Sequence, residues 1–313
     1  MKVFIAGATG VLGRRVVDVL VSRGIEVTGV AREPSKHAVL AARGARPVTL
    51  DLFDAAAVRA AVTGHDVVCN LATAIPLGAR AGDPSAWEDN DRIRREGLRN
   101  LVNAALERGA SRYVQESVVF LYADGGERLL DESSEIAPSG ITSAALVAES
   151  EAARFAEHGG AAVALRFGQF YGFDSGHTIA AIEAALAGRP VEVGPGSAYR
   201  SSVTTDDAAS AVVAALHAGS GVYNVVDDRP LRRAEYVDAA CHALGVPPPA
   251  VRSASVDQPG ALSVMLRSLR VSNRRFEEAT GWQPRWPSAW EGWAHVVAAW
   301  RAERASRAEA GRA

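Results

Sequence analysis

The first residues after Met1 set a pattern that recurs along the chain. Val3, Phe4, Ile5 and Ala6 are apolar at every position, as in a strand buried on both faces. Immediately afterwards Val11, Leu12, Val16, Val17 and Leu20 recur at helical spacing. Apolar runs at Glu26 to Val30, Arg46 to Thr49, Asp66 to Asn70, Tyr113 to Ser117 and Ala161 to Arg166 predict further strands. Lys36 to Ala42, Ala55 to Val62, Trp87 to Glu107 and Ala144 to His158 predict the helices between them. Such alternation with short connections predicts an α/β protein built on a doubly wound parallel sheet. Past Gly172 the rhythm changes to a helix at Thr178 to Ala187, a Gly194-Pro195-Gly196 turn, a helix at Asp206 to Ala218 and a strand at Val222 to Val225. The tail from Pro247 carries prolines and most of the tryptophans, with a helix at Ala289 to Arg304 and a frayed Arg/Ala/Glu end after it. We expect a main domain from residues 1–167 and 199–226 and a smaller, C-terminal, substrate-side domain from 168–198 and 227–313.

The glycines of Gly7-Ala-Thr9-Gly10-Val11-Leu12-Gly13 fall at the first strand-to-helix turn. There Gly7 permits a tight bend, Gly10 lets backbone N–H groups approach a pyrophosphate, and Gly13 allows the helix to pack closely on the strand. A dinucleotide is the expected ligand. At the tip of the second strand a carboxylate would bind the ribose hydroxyls of NAD, whereas a cation accommodates the extra phosphate of NADP. The chain has Arg32 there, with Ser35 and Lys36 close behind, which favours NADP; Glu33 is the argument for NAD. Asp51 and Leu52, after the third strand, are placed to hold the adenine amino group, although an aspartate there can equally cap the next helix. Leu71, Ala72 and Thr73, after the fourth strand, would lie beside the nicotinamide ribose.

Composition narrows the classes. The chain has 313 residues, 48% hydrophobic content and a formal net charge of −2. Its cations are dispersed, so no basic field points to nucleic acid. Cys69 and Cys241 lack metal-ligand spacing and read as buried thiols, and no metal site is expected. No apolar run reaches a membrane span and the start lacks a signal-peptide pattern, so the expectation is a cytoplasmic protein with a small-molecule substrate and no membrane partner.

Gly-Ala-Thr-Gly-Val-Leu-Gly at the start, Asp51-Leu52 and Asn70-Leu71-Ala72 resemble the extended short-chain dehydrogenase/reductase superfamily. So do Leu165-Arg166-Phe-Gly168-Gln169-Phe-Tyr171-Gly172, Val203-Thr-Thr-Asp206-Asp207-Ala208 and Thr280-Gly281-Trp282-Gln-Pro284. Within it the chain is most similar to the NAD-dependent epimerase/dehydratase family, which implies a Rossmann sheet. The resemblance also implies a Tyr-x-x-x-Lys acid/base pair on the helix after the fifth strand, with a serine or threonine ending that strand. Here the only lysines are Lys2 and Lys36, and the expected place reads Ser139-Gly-Ile-Thr142-Ser143-Ala-Ala-Leu-Val-Ala-Glu149. Homodimers in this family form through the helices after the fourth and fifth strands, and the first of these carries a narrow apolar stripe at Ile93, Leu98, Leu101, Val102 and Ala105.

Tyr122 is the preferred proton donor, with Ser117 and Tyr171 as further catalytic candidates. Ser117 stands one residue beyond the family's serine-to-tyrosine spacing. A tyrosine without a cationic neighbour keeps a pKa near ~10 and donates better than it accepts, which favours reduction. Gln169 and His177 are candidates for the substrate pocket. By resemblance Arg200, six residues before Asp206, corresponds to an arginine that grips a substrate phosphate; a salt bridge to Asp206 or Asp207 is the alternative. Three functions stay open: an NADPH-dependent reductase of a medium-sized carbonyl or enone-type compound with a non-standard proton donor, a non-catalytic NADP-binding sensor or structural protein, and a non-redox isomerase or cyclase on the same fold.

Overall fold

The computed structural model describes residues 1–191, 194–249 and 263–310; part of the proline-bearing tail and the last three residues lie outside them. Seven strands form the central sheet: β1 (Lys2–Ala6), β2 (Glu26–Val30), β3 (Arg46–Val48), β4 (Val67–Asn70), β5 (Arg112–Val118), β6 (Ala161–Phe167) and β7 (Gly221–Val225). All pair in parallel, in the order β7-β6-β5-β4-β1-β2-β3. The chain runs outward from β1 to β3, then returns to lay β4 against the other edge of β1. A crevice therefore opens at the carboxyl ends of β1 and β4, where ligands bind such sheets.

The uniform apolarity of β1 has a direct cause. Val3 and Ile5 enter a core shared with helices α1 (Val11–Ser22) and α8 (Thr205–Ala214), while Phe4 and Ala6 enter one on the opposite face. That second core belongs to α3 (Ala55–Val62), α5 (Leu98–Glu107) and α6 (Ser143–Glu157). Between β2 and β3 lies α2 (Ser35–Ala42). A third core packs Tyr171, which precedes α7 (Gly176–Leu186), and Ile182 of that helix against Tyr236 of α9 (Arg233–Leu244) and Trp293 of α11 (Ala289–Ala310). Helices α9 and α10 (Arg274–Thr280) were not anticipated by the spacing argument.

The single helix expected over Trp87 to Glu107 is instead α4 (Glu88–Arg92), a π turn at Ile93–Gly97, and α5. Ile93 and Leu98 are five residues apart, a step that a regular α-helix does not align and a wider turn does. Both are buried, as are Leu101, Val102 and Ala105. Gly97 serves the same approach, since a Cβ there would lie 3.1 Å from Leu52 Cβ.

Charges tie α1 to α8 and to the segment before α7. Arg15 Nε lies 2.5 Å from Asp206 Oδ1 and its Nη2 is 2.9 Å from Asp174. Asp206 also meets His295 Nε2 at 3.0 Å. It is therefore not the cap of α8; Thr204 is, accepting from the Asp207 N–H. Both cysteines are buried and free, and burial pushes the Cys69 thiol up to about 12. Among the described residues no helix is long and apolar enough to cross a membrane, and no group of three or more His, Cys, Asp or Glu could hold a metal ion.

Candidate functional site

The turn after β1 is shaped by its glycines in three different ways. Gly7 adopts φ +83°, and a Cβ on it would lie 2.5 Å from the Leu71 carbonyl. Gly10 donates its N–H to Gly7 O at 3.0 Å and starts α1 in an extended conformation without a side-chain cap. No acidic residue occupies the first turn, so the positive end of the helix is not neutralised by the helix's own side chains. Gly13 packs so tightly that a Cβ would come within 2.1 Å of Gly7 O.

A groove of about 270 Å³ opens over this turn. Gly7, Thr9, Gly10, Arg32, Lys36, Asp51, Leu52, Leu71, Ala72 and Thr73 line it, which brings together most of the expected cofactor residues. Val11, Leu12, Gly13 and Ser35 do not form its wall; Leu12 and Gly13 are buried beneath it. Sequence reasoning missed Phe53 and Ile93, which do. Glu33 pairs with Lys36 at 3.0 Å, an exposed contact worth about 0–1 kcal/mol. The groove thus combines a glycine cradle with a helix N-terminus, and Arg32, Glu33 and Lys36 all stand in its wall.

The three catalytic candidates sit elsewhere. Tyr122 is fully buried, donates its hydroxyl to Asn224 Oδ1 at 2.8 Å and lies under the Arg166 guanidinium, 4.9 Å from its ring centroid. Burial raises its pKa even against the pull of Arg166. The expected cation-free tyrosine is therefore corrected: its neighbour is cationic, and its proton is held inside the protein. Ser117 is also fully buried and donates to Glu149 Oε1 at 2.6 Å. Tyr171 donates to Asp227 at 3.3 Å, and α11 passes so close that a Cβ on Gly292 would lie 2.0 Å from its hydroxyl. All three are packed, hydrogen-bonded core groups in this structure.

The substrate candidates do meet. Gln169, His177 and Arg200 line a cavity of about 140 Å³ with Tyr236 and Trp293. Arg200 lies over the Tyr236 ring, 4.1 Å from its centroid, and burial draws its pKa down to about 10. The expected alternative, an ion pair with Asp206, is not formed: Asp206 is held by Arg15 and His295, and Asp207 by the backbone N–H groups of Arg285 and Trp286. His177 engages both ring nitrogens, with Ser175 Oγ at 2.9 Å and with the Phe170 carbonyl. A carbonyl only accepts, so Nε2 carries the proton; burial lowers the pKa and keeps the ring neutral.

Two buried ion pairs flank β5. Arg166 grips Glu149 through Nε and Nη2 at 2.8 and 2.7 Å. Arg94, on the π turn, meets Glu116 at 2.6–2.8 Å, and burial raises the Glu116 pKa despite that partner. A lone charge at otherwise apolar positions of a strand or helix was the only signal for them.

The model of the NAD dependent epimerase/dehydratase family matches residues 3–225. A 3-diazoavenalumate denitrifying reductase from Streptomyces sp is 35% identical over 303 residues, 92% of this chain and 97% of that protein. A 4-hydroxy-2-methyl-3-oxo-4-farnesyl-3,4-dihydroquinoline-1-oxide ketoreductase from Stigmatella aurantiaca is 31% identical over 134 residues, 42% of this chain and 38% of that one. Among solved structures, a Thermus thermophilus UDP-glucose 4-epimerase in complex with NAD superposes with a TM-score of 0.78 at 24% identity, covering 96% and 99% of the two chains. At that identity the likeness speaks for the fold, while the family match extends over most of the chain: this protein belongs to the NAD-dependent epimerase/dehydratase family.

Proposed function

We propose that the protein is an NADP-dependent reductase whose acceptor is electrophilic enough to take a hydride without a positioned acid. One observation carries this reading: a groove lined by the glycine turn occurs in a chain whose two lysines, Lys2 and Lys36, both lie outside α6 and whose candidate tyrosines are buried. Positioned general acid catalysis contributes about 10²–10⁴ in rate, which an activated acceptor does not need. Enones, iminium ions and diazonium ions qualify. The long Streptomyces relative, named for reducing a diazo compound with denitrification, supports the last. Hydride adding to the terminal nitrogen of R–N₂⁺ gives R–N=N–H, which collapses to R–H and N₂, so the reaction balances without an external proton.

The backbone N–H groups of the first turn of α1, from Val11 onward, would hold the pyrophosphate, Asp51 and Leu52 the adenine, and Arg32 with Lys36 the 2′-phosphate. The bound nicotinamide supplies the hydride. Gln169, Arg200 and the aromatic walls of the smaller cavity would orient a medium-sized, partly apolar substrate. Incubation with NADPH and a panel of aryl diazonium salts, enones and simple ketones tests this. Cofactor oxidation confined to the activated acceptors is expected. Turnover of simple ketones at equal rates would overturn the missing-acid argument, and tight NADPH binding with no turnover of any acceptor would favour a sensor.

Two variants sharpen the reading. Arg32→Asp should shift the NADPH to NADH affinity ratio toward NADH by about tenfold or more, from loss of one charge-assisted contact. An unchanged ratio would remove Arg32 from the phosphate site. Tyr122→Phe should leave reduction at the wild-type rate while lowering stability by about 1 kcal/mol through the lost bond to Asn224. A hundredfold fall in turnover would return Tyr122 to the role of donor.

A further inference from the structure

Phe53 was not foreseen as a site residue, yet it lines the dinucleotide groove beside Asp51 and Leu52. Its position is fixed from several sides. The Phe53 N–H donates to Asp51 Oδ1 at 2.9 Å, and Asn100 Nδ2 donates to the Leu52 carbonyl at 2.9 Å. A Cβ on Gly97 would sit 3.6 Å from the ring edge, ordinary contact distance, so the π turn runs directly beside the ring. Arg92 places its guanidinium 3.7 Å from the ring centroid, closer than the protein's other arginine–ring contacts among the described residues. Glu96 holds that guanidinium in place at 2.8 Å. Phe53 belongs to the groove wall, whereas Arg92 does not.

We propose that Phe53 is the stacking wall for the adenine of the bound nucleotide, with Arg92 backing the ring from its far side. This rests on the dinucleotide reading above. A cation held against one face of an aromatic ring draws π density toward itself and leaves the opposite face a better partner for an electron-rich purine. Asp51 then divides its carboxylate: Oδ1 is committed to the Phe53 N–H, and Oδ2 stays available to the adenine amino group. One short loop between β3 and α3 would supply both the edge contact and the face contact to the base.

The test measures, by calorimetry, the affinity of the full-length protein for NADPH or NADH, whichever binds more tightly, and for the adenine half alone (2′,5′-ADP or ADP). Phe53→Ala should weaken dinucleotide and half-molecule by the same factor, about tenfold, the usual worth of one base stacked on an aromatic ring. Phe53→Trp should bind as wild type, and its indole fluorescence should be quenched by the adenine half alone. Arg92→Gln should weaken both ligands by about two- to threefold. The proposal is overturned if Phe53→Ala holds the adenine half as tightly as wild type, if it loses the dinucleotide far more than the half-molecule, or if Phe53→Trp is as weak as Phe53→Ala. A wild-type protein that binds neither nicotinamide nucleotide overturns the dinucleotide reading itself, and this one with it.

Discussion

Gly13→Ala is expected to abolish dinucleotide binding and to lower the unfolding midpoint, whereas Gly10→Leu is expected to abolish binding in a protein that folds normally. The two glycines lie three residues apart in one turn but meet different surroundings. A Cβ on Gly13 would stand 2.1 Å from Gly7 O and 2.8 Å from Ala8 Cα, all backbone, so nothing can rotate out of the way. The first turn of α1 has to move off β1, at a cost of about 1–3 kcal/mol or more. Its N–H groups move with it. Loss of two charge-assisted hydrogen bonds to a pyrophosphate corresponds to about a hundredfold or more in affinity. At Gly10 the nearest atom to a Cβ is Gly7 O at 3.3 Å, and the backbone angles, φ −73° and ψ 172°, suit any residue. Gly10 stands in the groove wall, so a leucine there is expected to obstruct the groove while asking Gly7 O to give by only a few tenths of an ångström. Thermal unfolding and NADPH titration of both variants separate the cases. If Gly13→Ala keeps its affinity, helix α1 does not carry the phosphate contacts; if Gly10→Leu keeps its affinity, the groove is not the nucleotide site.

The same contrast marks what could be read from the chain. The sheet was legible because its signal is local: two-faced burial makes β1 apolar at Val3, Phe4, Ile5 and Ala6, and the next period is helical. The groove over the first turn was legible because it is built where strands end, so Arg32, Asp51 and Leu71 could be placed together by counting from a strand tip. Side-chain direction was not legible. Ser117 and Tyr122 lie close to the carboxyl end of β5, as expected, but Ser117 turns to Glu149, 32 residues away, and Tyr122 to Asn224, 102 residues away. Tyr171 is closed off by α11, more than a hundred residues downstream. Ile93 lines the groove from a π turn that interrupts a stretch whose composition reads as an ordinary helix, and Phe53 lines it from the loop before α3. That neither Lys2 nor Lys36 stands four residues after a tyrosine could be read from the sequence. What occupies the surroundings of α6, two buried carboxylate–arginine pairs, depends on contacts between α6, the π turn and β6 that no local pattern announces.

Glu149→Ala is expected to be the most destabilising single substitution outside the glycine turn, at about 3–5 kcal/mol. The carboxylate receives Arg166 Nε and Nη2 and the Ser117 hydroxyl, and both charged side chains are 6% exposed. Burial alone would lower the Arg166 pKa, but Glu149 holds it above the ordinary value, so the guanidinium stays charged. Without Glu149 that charge is left inside the protein with the Tyr122 ring as its remaining neighbour of note. The cost is chiefly the stranded cation rather than the lost attraction. It follows that Glu149→Leu combined with Arg166→Met should be less harmful than Glu149→Ala alone, because no charge is then buried unpaired. Urea unfolding of the two single variants and the double gives the comparison. A single-variant loss near ~1 kcal/mol, or a double variant worse than either single, would mean that the pair is solvated and is not the support beneath β5. Glu149→Ala also frees the Ser117 hydroxyl from its acceptor. If Ser117 were the proton donor held in check by Glu149, reduction would rise in the folded fraction; the packed, hydrogen-bonded role assigned to it here requires that the rate per folded molecule stay as it is.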